Sequence, residues 1–456
     1  MTMEFNESDQ FQGNKTIALL TNGTILGDCG TQNLFAPELS ELALDYCVDT
    51  DVDGFLVHVR ETSDEFDVLM KDATVDRTTT MTGNVAEIKY DDLLTTYLND
   101  ESIVGTFYAD RKYRVLGLLS TTYRYGKHKL MLIQSEINTS IYGQKIADQM
   151  SDMSLTQNVA YVSTGTNFLS GVKTAVSNAF TILKSETAIN AVTVKSYGVN
   201  AILVLYSALT AQAITDYHAQ RLYVGAYGTR SAKITKDLKD LGCDFFTTDD
   251  PHYVSTKNDG YDAIGTIWAV PHEFKGSGYV WNTALTEPDL IKTGTRRVGY
   301  ATTDTDIDSF SAGHKLNGTS TNFSYTTTIY IDSADADNNA RVGLFFNMDT
   351  DVMPSVLSGI ATCNGYALTY AKNGTVKLLK FVNGEAITEL DSDTWTAYVN
   401  TNALAITVTI NGSGITVAKS GSTSLTGADT THKAGWLGYF REKHGASFYG
   451  FASAAA

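Results

Sequence analysis

The sequence predicts a multidomain protein, an α/β barrel of (β/α)8 type followed by an all-β sandwich. Up to about residue 257, short apolar strands alternate with helix-spaced segments, the pattern of βαβ units. Beyond it helical periodicity disappears, and short strands separated by Asn-Gly, Gly-Ser and Asp-rich turns take over. The clearest unit lies at 222–253. There 222–227 is a β-branched and aromatic run of strand length, which Gly228 breaks. Residues 230–241 place Ile234, Leu238 and Leu241 on one helix face, and Gly242 stands at the C-cap position. A second strand, 244–248, is ended by Pro251. Strand–helix–strand in so few residues implies parallel pairing.

Taken in order, residues 1–13 form a polar N-terminal arm and 14–257 the barrel. Asn22-Gly23 between 16–20 and 24–26 predicts a hairpin. A helix opens at Ala36-Pro37-Glu38-Leu39-Ser40 and runs to Cys47, followed by strands at 53–59 and 66–70. Residues 93–124 hold a helix and a small insertion. Then come a strand at 129–134, a helix at 142–150, a strand at 159–162 and a helix over 168–183. Buried strands are expected at 191–195 and 201–205. A helix at 210–221 has Thr210 as its N-cap, and the barrel closes near Pro251. Residues 258–456 form a linker and the sandwich, with strands at 324–331, 342–346, 365–370, 376–381, 404–410, 415–418 and 435–440. Asn373-Gly374, Asn383-Gly384 and Asn411-Gly412 are hairpin turns.

A chain of 456 residues exceeds one ordinary core, in keeping with two domains. The net charge of −17 makes nucleic acid a poor partner. No run reaches the roughly 18 apolar residues of a membrane helix, so membrane insertion is not expected. The start, MTMEFNESDQFQ, lacks the basic and apolar regions of a secretory signal. Cys29, Cys47, Cys243 and Cys363 have no paired spacing and are expected to be buried free thiols.

The wording of Gly242-Cys243-Asp244-Phe245-Phe246-Thr247-Thr248-Asp249-Asp250-Pro251 resembles the closing unit of the glycerophosphodiester phosphodiesterase family of TIM barrels, which typically reads lGvDgiiTDxP. The resemblance implies an upstream catalytic motif: AHRG, then PENT on a helix, GxExDV, and VVxHDxxLxRTT. Its scaffold is present here in Gly30, Pro37-Glu38, Gly54, Val59, Met70, Asp72 and Asp76-Arg77-Thr78-Thr79. Its chemistry is not. Asp28 stands at the first histidine and Cys29 at the arginine, Leu56 and His58 at two metal ligands, Lys71 at the second histidine, and Gln134 at a further metal-binding glutamate. The family reaction needs a carboxylate-bound divalent cation and a histidine pair. Leucine cannot ligate a metal, and lysine is normally protonated. The five changes at Asp28, Cys29, Leu56, His58 and Lys71 together imply that the inherited mechanism is lost.

If the resemblance holds, Asp28, His58, Lys71 and Gln134 point into the C-terminal mouth of the barrel, where TIM-barrel sites sit. The functional reading is an anion pocket in which Lys71 and His58 hold a phosphate or a sugar acid; the alternative is a mouth filled by side chains. No catalytic residue and no barrel metal is expected, although Asp28, His58 and Glu136 are types that could hold one. Cys29 beside His58 is read as a structural thiol rather than a nucleophile. The sandwich resembles concanavalin-like (laminin-G-like) jelly rolls, which often bind glycans. No cofactor is expected beyond calcium at the acidic loop of Asp332, Asp335 and Asp337, for which a solvated turn is the alternative. Trp395, Trp436, Tyr366, Tyr370 and Tyr439 are either a sugar-stacking platform or core.

These readings converge on a non-catalytic protein that binds a cell-surface polysaccharide or a teichoic acid. Barrels joined to such sandwiches resemble parts of bacteriophage tails and baseplates. That likeness, with no signal peptide, implies a virion location, other virion proteins as partners, a homo-oligomer and a role in host adhesion. The alternatives are a phosphodiester or glycoside hydrolase with a rewired site, and a purely structural virion protein.

Overall fold

The computed structural model describes residues 20, 23–30, 36–49, 52–98, 112–126, 128–229, 231–249, 251 and 254, and then fourteen segments. These are 261–262, 265–267, 290–293, 297–300, 307–316, 323–331, 341–349, 364–382, 388–395, 404–412, 414–419, 422–432, 435–442 and 446–455. The chain divides into two compact units, one carrying the parallel strands and one the C-terminal strands.

The first unit is a closed barrel. Its parallel strands are β1 (Thr24–Asp28), β2 (Gly54–Glu61), β4 (Leu130–Ser135), β5 (Val159–Ser163), β6 (Phe180–Ser185), β7 (Ala201–Leu205), β8 (Tyr223–Tyr227) and β9 (Phe245–Thr248). They pair in that circular order, and β1 closes the ring against both β9 and β2. The short β3 (Asp67–Leu69) lies antiparallel on β2. Helices α1 (Glu41–Asp49), α3 (Leu118–Tyr125), α4 (Ser140–Asp152), α5 (Thr166–Ala175), α6 (Ala191–Ser196), α7 (Ala211–Ala219) and α8 (Ala232–Asp240) connect the strands. A short turn of helix, α2 (Tyr90–Leu93), lies in the insertion after β3. Every strand of the ring is buried along most of its length, as a sheet covered on both faces requires. Leu26, Leu56, Leu132, Val162, Ile182 and Leu203 belong to one buried cluster that fills the barrel. The insertion packs a smaller cluster of its own, around Val68, Met70, Val75 and Leu93.

Local chemistry sets these boundaries. Thr139 and Thr210 cap α4 and α7, accepting from the Tyr142 and Ala213 amides at 3.2 and 3.1 Å. Gly143 and Gly171 let α4 and α5 approach closely: a Cβ on either would lie about 2 Å from a backbone carbonyl of the other helix.

Three local expectations are corrected. The helix expected over 168–183 is two elements, α5 and strand β6. The strand expected at 191–195 is helix α6, because Asn190 accepts from the Val192 and Thr193 amides and caps it. The expected hairpin is also not formed by its second arm, since β1 pairs in parallel on both edges; residues 16–19 lie outside the described residues.

Among the described residues the second unit holds two sheets of seven and eight strands, antiparallel except where Tyr261–Asp262 runs beside Ile307–Leu316. All seven expected strands are present, and Gly374, at φ +95°, makes the turn between Gly365–Ala371 and Thr375–Phe381. Tyr366, Tyr370 and Trp395 are buried, so the sugar-stacking alternative is corrected to core for these three. Trp395 packs on Tyr370 at 5.3 Å and donates to Ser424 Oγ at 2.5 Å. The side chains of Trp436 and Tyr439, Cys363, the turn at 383–384 and the acidic loop of Asp332, Asp335 and Asp337 lie outside the described residues. Among the described residues no helix is long and apolar enough to cross a membrane.

Candidate functional site

The C-terminal ends of the parallel strands surround a cavity of about 520 Å³. Asp28 ends β1 and His58 lies in β2. Lys71 follows β3 and Gln134 lies in β4. All four line this one cavity, with Glu136, Thr164, Lys184, Glu186, Tyr227 and Asp249 among its other walls. The four positions thus meet at the barrel mouth.

Two groups of side chains meet there. On one side, His58 Nε2 faces Asp28 Oδ1 at 3.5 Å, and the Cys29 thiol donates to the same oxygen at 3.5 Å. His58 is 3% exposed, and neither ring nitrogen completes a hydrogen bond within the described residues. Burial lowers the His58 pKa and outweighs Asp28, so the ring is neutral. Burial also works to raise Asp28. His58 and the ammonium groups of Lys71 and Lys184 overcome it and hold this carboxyl well below the usual range. Cys29 adopts φ +52°, a left-handed conformation unusual for a residue with a side chain. Its amide donates to Leu56 O at 2.9 Å and its carbonyl accepts from Leu39 at 3.0 Å, which fixes the turn.

On the other side, Lys184 donates to Gln134 Oε1 at 3.0 Å, and Gln134 Nε2 donates to Glu136 Oε1 at 2.6 Å. Thr164 donates to the other Glu136 oxygen at 3.4 Å. Lys184 also lies 4.6 Å from the centre of the Tyr227 ring. Burial lowers the Lys184 pKa. For Lys71 burial acts the same way, but Asp28, Cys29, Glu38 and Asp249 outweigh it and keep the ammonium charged.

Lys184, Glu136, Glu186 and Tyr227 were not selected from sequence as site residues. Lys184 is hidden in the sequence because β6 runs on from a helix-like stretch; the available signal is Ser177-Asn178 breaking that helix before the β-type run Phe180-Thr181-Ile182-Leu183. Glu136, by type also a candidate metal ligand, is the acceptor at the end of the Gln134 relay.

Arg77 and Thr79 have a structural use. Arg77 donates to both oxygens of buried Glu38 at 3.1 and 2.6 Å, and to Asp72 at 2.6 Å. Thr79 caps its own turn by donating to Val75 O at 2.9 Å. These residues tie the segment after β3 to the segment before α1 and none of them lines the cavity.

Leu56 is fully buried in the barrel core, and Gln134 spends its amide on Lys184 and Glu136.

No protein-family model matches the chain, and no curated protein sequence matches it. Among solved structures it is similar to a glycerophosphodiester phosphodiesterase from Agrobacterium tumefaciens, at 18% identity and TM-score 0.45, over 51% of this chain and 98% of that one. A putative glycerophosphoryl diester phosphodiesterase from Silicibacter pomeroyi is similar at 15% identity and TM-score 0.46, over 52% and 95%. The carbohydrate-binding module CBM66 from Bacillus subtilis is similar at 15% identity and TM-score 0.31, over 39% and 96%.

Proposed function

We propose that the chain is a non-catalytic binding protein that takes a cell-surface glycan or glycerol-phosphate polymer into the barrel mouth, as a bacteriophage tail or baseplate component serving host adhesion. One observation carries this reading: the mouth is an open cavity of about 520 Å³ lined by hydrogen-bonding side chains, while a buried leucine stands where a metal-binding carboxylate would be needed. Four lining carboxylates, Asp28, Glu136, Glu186 and Asp249, face two lysines, Lys71 and Lys184. That mixture suits a polyhydroxylated ligand, whose hydroxyls donate to the carboxylates, with a phosphate or sugar acid held by the lysines. His58, neutral and without a completed hydrogen bond, is placed to pair with a ligand hydroxyl. The virion assignment and homo-oligomeric assembly rest on the sequence resemblance.

The test is incubation of purified protein with a glycerol-phosphate polymer, with and without magnesium or calcium. Bound polymer and released glycerol phosphate are both measured. Retention without release is expected under both conditions. Lys71→Ala and Lys184→Ala should each weaken retention about 10-fold or more, the value of a charge-assisted hydrogen bond. Metal-dependent release of glycerol phosphate would overturn the non-catalytic reading. Neither retention nor release would favour a structural protein or a different glycan.

A further inference from the structure

We propose that Asp28, Cys29 and His58 form a binding site for zinc or a similar borderline-soft divalent ion, with one coordination position open to the barrel mouth. The ligand atoms of the three residues lie within 4.8 Å of one another. Asp28 Oδ1 is 3.5 Å from both Cys29 Sγ and His58 Nε2. A tetrahedral zinc ion with bonds of ~2.0–2.2 Å to nitrogen and oxygen and ~2.3 Å to sulfur spans ligand–ligand edges of about 3.3–3.6 Å. Two of the three edges therefore already have the required length, and the third, between Cys29 and His58, is at most 4.8 Å.

The second observation is the imidazole. His58 is 3% exposed and offers two nitrogens that complete no hydrogen bond within the described residues. Buried polar atoms are nearly always satisfied, so an orphaned one facing a carboxylate and a thiol calls for a bound group. One nitrogen, one sulfur and one oxygen suit zinc or cobalt, whereas magnesium and calcium demand oxygen. Charge also balances. A thiolate and a carboxylate neutralise the two charges of the ion, so Lys71 and Lys184 face a neutral centre rather than a cation. Cys29 adopts φ +52°, and its thiol donates to Asp28 Oδ1. One feature limits the affinity. His58 Nδ1 lacks the carbonyl or carboxylate that usually orients a zinc-bound histidine, a partner worth about 10–100-fold.

This inference does not depend on the polymer reading, because the ion is tested alone. The full-length protein, stripped of metal, is titrated with cobalt(II) and then with zinc. Uptake of one equivalent is expected, with the visible bands of tetrahedral cobalt and a near-ultraviolet thiolate-to-cobalt charge-transfer band that zinc removes. Cys29→Ser should abolish the charge-transfer band. His58→Gln should weaken cobalt binding at least about 10-fold, a loss of second-sphere size or greater. Circular dichroism confirms that each variant folds. Cys243→Ser, whose thiol donates to Val224 O outside the mouth, should leave the spectrum unchanged. Failure of the unaltered protein to bind an equivalent of either ion would overturn the proposal. So would a cobalt spectrum without a thiolate band, or the same band persisting in Cys29→Ser.

Discussion

Arg77 closes on Glu38 with both arms of its guanidinium, and Glu38 is 3% exposed. A carboxylate so buried needs its cation, because an unpaired charge away from water is costly. Breaking a fully buried pair from one side costs about 3–5 kcal/mol. Arg77 is itself about half exposed, so water would reach part of the gap. Arg77→Met is therefore expected to destabilise the protein by about 2 kcal/mol in urea unfolding. Glu38→Gln, which keeps an acceptor and removes the charge, should cost less. A change within about 0.5 kcal/mol for Arg77→Met, the range of ordinary surface substitutions, would show that the pair is no latch. The polar residues of this region fall into two sets by place. Glu38, Asp72, Arg77 and Thr79 stabilise the approach to the barrel, whereas Asp28, His58, Lys71 and Gln134 face the cavity.

At the scale of elements, helix α6 turns on one side chain. Ala191-Val192-Thr193-Val194 has the β-branched composition of a strand, yet Asn190 satisfies two free amides of the first turn. Asn190→Ala is expected to cost about 1 kcal/mol by chemical denaturation, the usual value of an N-cap. Asn190→Asp should restore most of it, since it offers the same acceptor at a helix N-terminus. A neutral Asn190→Ala would mean that packing of Ala191 and Val194, not the cap, holds the helix. This case also marks where the sequence is legible. Strand β8, helix α8 and strand β9 were readable because Gly228 and Gly242 punctuate them; both adopt positive φ, at +86° and +99°. Thr210 was readable as a cap because an apolar helix face follows it. The stretch from Phe168 to Lys195 was not, because propensity and capping disagree there. Its misreading removed Lys184 from the candidate site. A motif at strand ends places Asp28, His58, Lys71 and Gln134 along one cavity, while the Lys184–Gln134–Glu136 relay requires knowing which strands are neighbours.

For the whole molecule, the described cysteines give a pH dependence whose sign can be worked out. Cys47 and Cys243 are buried free thiols, and burial pushes each up to about 12 from a reference of 9.0. Unfolded, both thiols would ionise as pH rises through about 9, whereas in the folded barrel they keep their protons until about 12. The unfolded state then binds fewer protons, so stability falls with rising pH across that window; the contribution of both thiols is intact below pH 9. Each thiol adds a slope of roughly 1.4 kcal/mol per pH unit at its steepest. Between pH 9 and 10 these thiols act before the buried Tyr370 of the second unit, which burial raises from 10.0 to about 12 and which acts with the same sign from pH 10 upward. Urea midpoints for barrel unfolding should therefore decline from pH 9, and Cys47→Ala and Cys243→Ala should each flatten the decline even if they lower stability at pH 7. The same burial predicts that Cys29, Cys47 and Cys243 resist alkylation in the native protein at pH 8 and react on unfolding, as read by mass mapping of the modified peptides. Rapid native labelling of Cys47 or Cys243, or a midpoint unaffected by either substitution above pH 9, would mean that the barrel opens locally often enough to wet its thiols, and the pH argument would fail with it.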